Sequence, residues 1–178
     1  MNKITESIMP LPTQLTAHQI EAEAVKISNY YGFDPTSESV RELAERISES
    51  GCVKVLPIDE IEHLDSGSLE VRGPGDFNIY LSPITSRVRD NFTIAHELGH
   101  YFLHSGNPPG TDPITVGRSG EVTPIEKEAN RFAAALLMPQ DQFSQYFDRT
   151  NGNILSLAGI FSVSRPAVEV RIRSLGLK

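Results

Sequence analysis

The feature that most constrains this chain is the stretch His96-Glu97-Leu98-Gly99-His100. The surrounding segment, Arg87 to His104, reads as a helix that Asp90 or Asn91 can cap. Histidines four residues apart on a helix leave the same face about one turn apart, so both rings can grip one metal ion. Glycine inside a helix costs about 1 kcal/mol relative to alanine, so Gly99 demands a packing reason. The close approach of a second helix is such a reason.

His-Glu-x-x-His is the arrangement of zinc peptidases. There the glutamate is not a ligand: it takes a proton from the attacking water and passes it to the departing amine, while zinc polarises the scissile carbonyl. A catalytic zinc also needs a third protein ligand. The metzincin pattern would put a histidine at position 106 and a glycine at 103, but these are Gly106 and Leu103, so that option fails. His104 lies one turn past His100, and three ligands in a row on one helix surround an ion poorly. It is expected instead at the pocket rim, orienting a ligand.

The segment Pro124 to Met138 reads as the second helix, with Ala129, Phe132, Ala133, Leu136 and Leu137 at core spacing and Pro139 closing it. Ala133 to Ala135 give it a slim surface on which the Gly99 helix can lie close. Its two acids, Glu126 and Glu128, are two positions apart and so on nearly opposite faces; at most one points at the metal. Glu128 precedes Phe132 and Ala135 by four and seven residues, at the edge of the buried stripe. It is the expected ligand, with Glu126 its competitor. For steadying the oxyanion, Tyr80, Tyr101, His104 and Arg131 are all open.

A chain of 178 residues suits one core with a small annex. Its longest apolar run, Phe132 to Met138, is far short of the roughly 18 residues of a membrane span. The amino terminus carries Glu6 and two prolines where a signal peptide needs an unbroken apolar stretch. Cys52 is the single cysteine, so no internal disulfide forms, and a cytoplasmic location is expected. The net charge of −7 is concentrated in residues 1–76, with 14 acids against 6 bases, which argues against nucleic acid there.

Residues 1–16 read as a loose arm. Ile20, Ala24, Ile27 and Tyr31 recur at helical spacing up to Gly32, and a second helix is expected from about Ser37 to Ser50. "CVKVLPID", "SLEVRG" and "FNIYLSP" read as strands, the last two joined by a turn at "GPGD". Residues 105–120, rich in glycine and proline, read as a long loop that could cover a site. Asn78, Ile79, Tyr80 and Leu81 are the candidate strand on which a substrate could add as an extra strand.

Three segments in order, "RVRDNFTIAHELGHYFLH", "EKEANRFAAALLMP" and "LAGIFSVSRPAVEVRIRSLGL", resemble the ImmA/IrrE family of metallo-endopeptidases. The resemblance implies an α+β, zincin-like fold: a mixed helix and small-sheet metallopeptidase domain over residues 17–140 with a thermolysin-like core, then a helix-turn-helix-like unit over 141–178. It implies His96, His100 and Glu128 as metal ligands and Glu97 as the catalytic glutamate. His104 and Tyr101 remain for orienting a ligand or steadying the oxyanion. One departure stands out: thermolysin-like enzymes place an aspartate four residues after the glutamate ligand, and four after Glu128 is Phe132.

The implied activity is cleavage of a specific protein, a DNA-binding repressor of helix-turn-helix type, by a cytoplasmic endopeptidase acting as a regulatory switch. The implied cofactor is one Zn²⁺ per chain, although two histidines and a carboxylate also suit Mn²⁺ or Fe²⁺. The competing reading is a non-catalytic regulator whose metal only fixes the fold. Such a protein would bind a repressor or DNA through residues 154–176, where Arg165, Glu169 and Arg173 would face a major groove. A surplus of only three positive charges over the last 26 residues makes phosphate neutralisation weak.

Overall fold

The computed structural model describes residues 11–48, 53–57, 67–105, 114–117 and 123–178. Two amino-terminal helices, α1 (Ala17–Tyr31) and α2 (Val40–Ile47), precede strands β1 (Val53–Val55), β2 (Gly67–Gly73) and β3 (Asp76–Leu81). The long helix α3 (Arg87–His104) follows, then β4 (Ile114–Gly117), α4 (Pro124–Leu137), α5 (Gln140–Arg149), α6 (Ile154–Ile160) and α7 (Arg165–Leu175). The class is α+β. No helix among the described residues is long and apolar enough to cross a membrane.

Local chemistry sets these boundaries. Thr16 and Gln19 close a reciprocal capping box at the start of α1, and Gly32 ends it in the left-handed conformation at φ 66°. Ser39 and Glu42 do the same for α2, which is therefore shorter than the expected span. Helix α3 starts one turn earlier than its acids suggest, because Ser86 accepts the Arg89 amide; Asp90 lies inside the first turn instead.

The sheet order is β1-β3-β2-β4. Strand β3 runs parallel to β1 and antiparallel to β2, and β4 lies antiparallel on the far side of β2. Residues 114–117 of the expected loop are thus a strand; the rest of it from Gly106 lies outside the described residues, as do Cys52 and residues 1–10 of the arm. One sheet face carries Leu69, Phe77, Ile79 and Leu81 into the core against Ile94, Ala95 and Leu98 of α3. Helix α4 packs along α3, and α1 packs on α4.

Arg171 and Asn91 make polar contacts that tie the carboxy-terminal helices to this core. Buried Arg171 of α7 donates to the Met138 carbonyl at 3.0 Å and to Glu21 Oε2 at 3.1 Å. Asn91 of α3 donates to the Ser162 carbonyl in the turn between α6 and α7. Breaking either would leave a buried polar group without its partner, at a cost of about 1–3 kcal/mol.

Gly99 has the packing reason that its cost demands. A Cβ there would lie 3.1 Å from both the Cα and the carbonyl oxygen of Ala129 and 3.3 Å from Phe132 Cβ. Two of those three atoms are helix backbone, which cannot swing aside. Gly99→Ala is therefore expected to lower unfolding free energy by about 1 kcal/mol despite its better helix propensity, and Gly99→Val by about 2–3 kcal/mol. Urea denaturation checks this; a stabilised Gly99→Ala would show that α4 can retreat freely.

Candidate metal centre

Because α4 lies so close, its first turns face the histidines. Thr123 caps α4 by accepting the Glu126 amide, and Pro124 occupies the first turn, where its missing N–H costs nothing. Glu126 then reaches across to α3: its Oε2 lies 3.2 Å from His96 Nε2 and its Oε1 3.2 Å from His100 Nε2. The two Nε2 atoms are 3.0 Å apart. These three residues are the cluster in the described structure able to hold a metal ion.

Glu128 goes elsewhere. Its Oε2 accepts from His104 Nε2 at 2.8 Å and from the Thr13 amide at 2.9 Å. The geometry thus sets Glu126 beside the histidine pair in the place where the sequence reading put Glu128. The reason is that α4 meets α3 at Ala129, and the two acids, three and one residues before that contact, project toward different turns of α3. Glu126 falls opposite His96 and His100, and Glu128 opposite His104. Thr13 in turn ties its segment to Glu128 by a backbone hydrogen bond.

Glu126 is followed one turn along α4 by a polar residue. Four residues after it stands Asn130, whose Oδ1 lies 3.0 Å from His96 Nδ1. An amide oxygen only accepts, so the His96 tautomer that suits this contact carries its proton on Nδ1 and leaves the Nε2 lone pair for a cation. The second histidine is fixed in the same sense. His104 Nε2 faces the Glu128 carboxylate and must donate, which leaves His104 Nδ1 as an acceptor for the Nδ1–H of His100, 3.0 Å away. His100 Nε2 then has its lone pair left for a cation as well.

Two nitrogen lone pairs and a carboxylate converging within hydrogen-bond distance, in a region where His96 and His100 are 0% and 1% exposed, repel one another unless a cation stands among them. Ligand atoms about 2.0–2.1 Å from a tetrahedral zinc lie about 3.3 Å from one another. The observed separations of 3.0, 3.2 and 3.2 Å fit that ion with little movement.

Glu97, 1% exposed, follows His96 on the same buried stretch of α3. Strand β2 begins beside it at Gly67, where a Cβ would come within 3.6 Å of Glu97 Oε1 and collide with the Thr93 methyl at 2.3 Å. Tyr101, Tyr80 and Arg131 are committed away from the histidine pair. The Tyr101 hydroxyl accepts the Gly75 amide at the β2–β3 turn, and its ring packs on Phe77. Tyr80 donates to Glu70, and Arg131 faces Glu21. His104, its basicity lowered chiefly by burial, is spent on Glu128 and His100.

The candidate substrate strand, Asn78 to Leu81, is corrected by the topology. Ile79, Tyr80 and Leu81 are paired with β1 on one side and with β2 on the other, so these three residues offer no free edge. Among the described residues the sheet edges are β1 and β4.

The model of the IrrE N-terminal-like domain, a peptidase family, matches residues 67–173. No curated protein sequence matches the chain. Among solved structures, a Mycobacterium tuberculosis transcriptional regulator is similar in fold, with a TM-score of 0.58 and 16% identity over 87% of this chain. The chain spans 46% of that protein's length.

If Asn130 fixes the His96 tautomer, Asn130→Ala is expected to weaken zinc binding about 10- to 100-fold, and Asn130→Asp, which keeps the acceptor, to preserve it. Competition with a chromophoric chelator measures both.

Proposed function

We propose, from the premise that the chain belongs to the ImmA/IrrE peptidase family, that it is a zinc endopeptidase with His96, His100 and Glu126 as ligands and Glu97 as general base. The observation that carries this reading is the convergence of two imidazole nitrogens and a carboxylate beside a buried glutamate. Zinc held there would supply electrophilic activation of water and of the scissile carbonyl.

The protein's own groups do the rest. Glu97 takes the proton of the attacking water and returns it to the leaving amine as the peptide bond breaks. Asn130 and His104 hold the two ligand rings in the tautomer that presents Nε2. Closely packed helices exclude competing water, which strengthens each of these interactions.

A substrate segment is assigned to the outer edge of β4, by backbone pairing. Support comes from register: Gly117 pairs with Ser68, the neighbour of Gly67, so that end of β4 lies nearest Glu97.

The substrate proposed is a DNA-binding repressor. This rests on the family resemblance, and the similarity to a protein described as a transcriptional regulator agrees with a regulatory setting. The α6–α7 pair is assigned to protein recognition. Arg171 is turned into the core, which leaves Arg165 and Arg173 as the exposed arginines of α7 in a chain of net charge −7. That is a thin basis for holding phosphates.

Glu97→Gln is expected to keep its zinc and its fold while losing at least about 100-fold in cleavage rate. The readout is new amino termini in a proteome exposed to the zinc-loaded wild type or variant, together with relief of repression in a reporter. Equal cleavage or equal relief by the variant would contradict the peptidase reading.

A further inference from the structure

Behind the histidine pair lies a chain of groups that the chemistry of Glu97 does not use. His100 Nδ1 meets His104 Nδ1 at 3.0 Å, and His104 Nε2 meets Glu128 Oε2 at 2.8 Å. His104 is 7% exposed, so water does not readily substitute for either contact. The far end is anchored separately, because the Thr13 amide donates to the same Glu128 oxygen at 2.9 Å.

We infer that His104 and Glu128 form a positioning relay that sets the orientation and donor strength of His100, so that two residues that never touch the metal carry part of the affinity for it. The inference rests on the ligand set proposed above. Its physical basis is polarisation along the chain. A carboxylate accepting from His104 Nε2 makes His104 Nδ1 a better acceptor. That acceptor draws on the Nδ1–H of His100 and enriches its Nε2 lone pair. His96 has only a neutral amide behind it, at Asn130. The two imidazoles are therefore unequal, and His100 is the stronger donor.

The relay also explains the placement of the two acids on α4. Glu126 and Glu128 serve the same metal at different distances, one directly and one through two rings. Their separation by a single residue is what the Ala129 contact with Gly99 permits.

The test is Zn²⁺ affinity of the full chain, measured by competition with a chromophoric chelator, with the visible spectrum of the Co²⁺-loaded protein as a second readout. His104→Phe and Glu128→Ala are each expected to weaken Zn²⁺ binding 10- to 100-fold and to shift the Co²⁺ bands. The double variant should be no weaker than the poorer single by more than about twofold, since both act through one chain. Glu128→Gln, which retains an acceptor oxygen, should recover most of the loss. Glu126→Ala should abolish binding.

If His104→Phe and Glu128→Ala both bind within twofold of wild type while Glu126→Ala binds nothing, the relay is wrong and the ligand set stands. If Glu126→Ala binds as tightly as wild type, the ligand set itself fails. Should Glu128→Ala abolish binding while Glu126→Ala does not, Glu128 is a ligand and the relay is overturned. Circular dichroism of the apo-proteins checks folding; should His104→Phe fail to fold, Glu128→Ala and its Gln counterpart decide the question.

Discussion

The contact between Gly99 and the backbone of Ala129 is the constraint on which the rest of the site depends. With 3.1 Å separating a would-be Cβ from the α4 main chain, the two helices meet about as closely as helices can. Short reach matters here because glutamate and asparagine side chains are only a few bonds long. At an ordinary interhelical distance Glu126 and Asn130 would fall short of His96, and Glu128 would fall short of His104. One missing methyl thus converts two adjacent helices into one polar centre.

That centre is unfavourable as a set of protein groups alone. Each histidine turns its Nδ1 outward, to Asn130 in one case and to His104 in the other, so both Nε2 atoms face inward with the Glu126 carboxylate. Burial of such a cluster costs several kcal/mol unless a positive charge compensates it. The arrangement is stable when an ion shares it, which couples metal binding to folding of the surrounding helices.

Much of this was legible in the sequence, and the failures are instructive. Histidine spacing, the glutamate between them and the glycine were all readable because they are local facts about one helix. The choice between Glu126 and Glu128 was not, because it depends on where α4 touches α3. The core stripe favoured Glu128, yet a signal for Glu126 was present: it alone has a hydrogen-bonding residue four positions later, at Asn130, where Glu128 has Phe132. Strand order was also hidden, since parallel pairing of β1 with β3 is a long-range contact. Phe77, Asn78, Ile79 and Leu81 are all buried, a near-continuous pattern that belongs to an interior strand.

The atoms that surround the ion decide between Glu126 and Glu128 as its carboxylate ligand. Anomalous diffraction at the zinc edge from crystals of the zinc-loaded chain locates it directly. The prediction is one ion per chain bonded to His96 Nε2, His100 Nε2 and a Glu126 oxygen, with His104 and Glu128 hydrogen-bonded behind His100. An ion bonded to Glu128 or to His104, with Glu126 turned away, would contradict it.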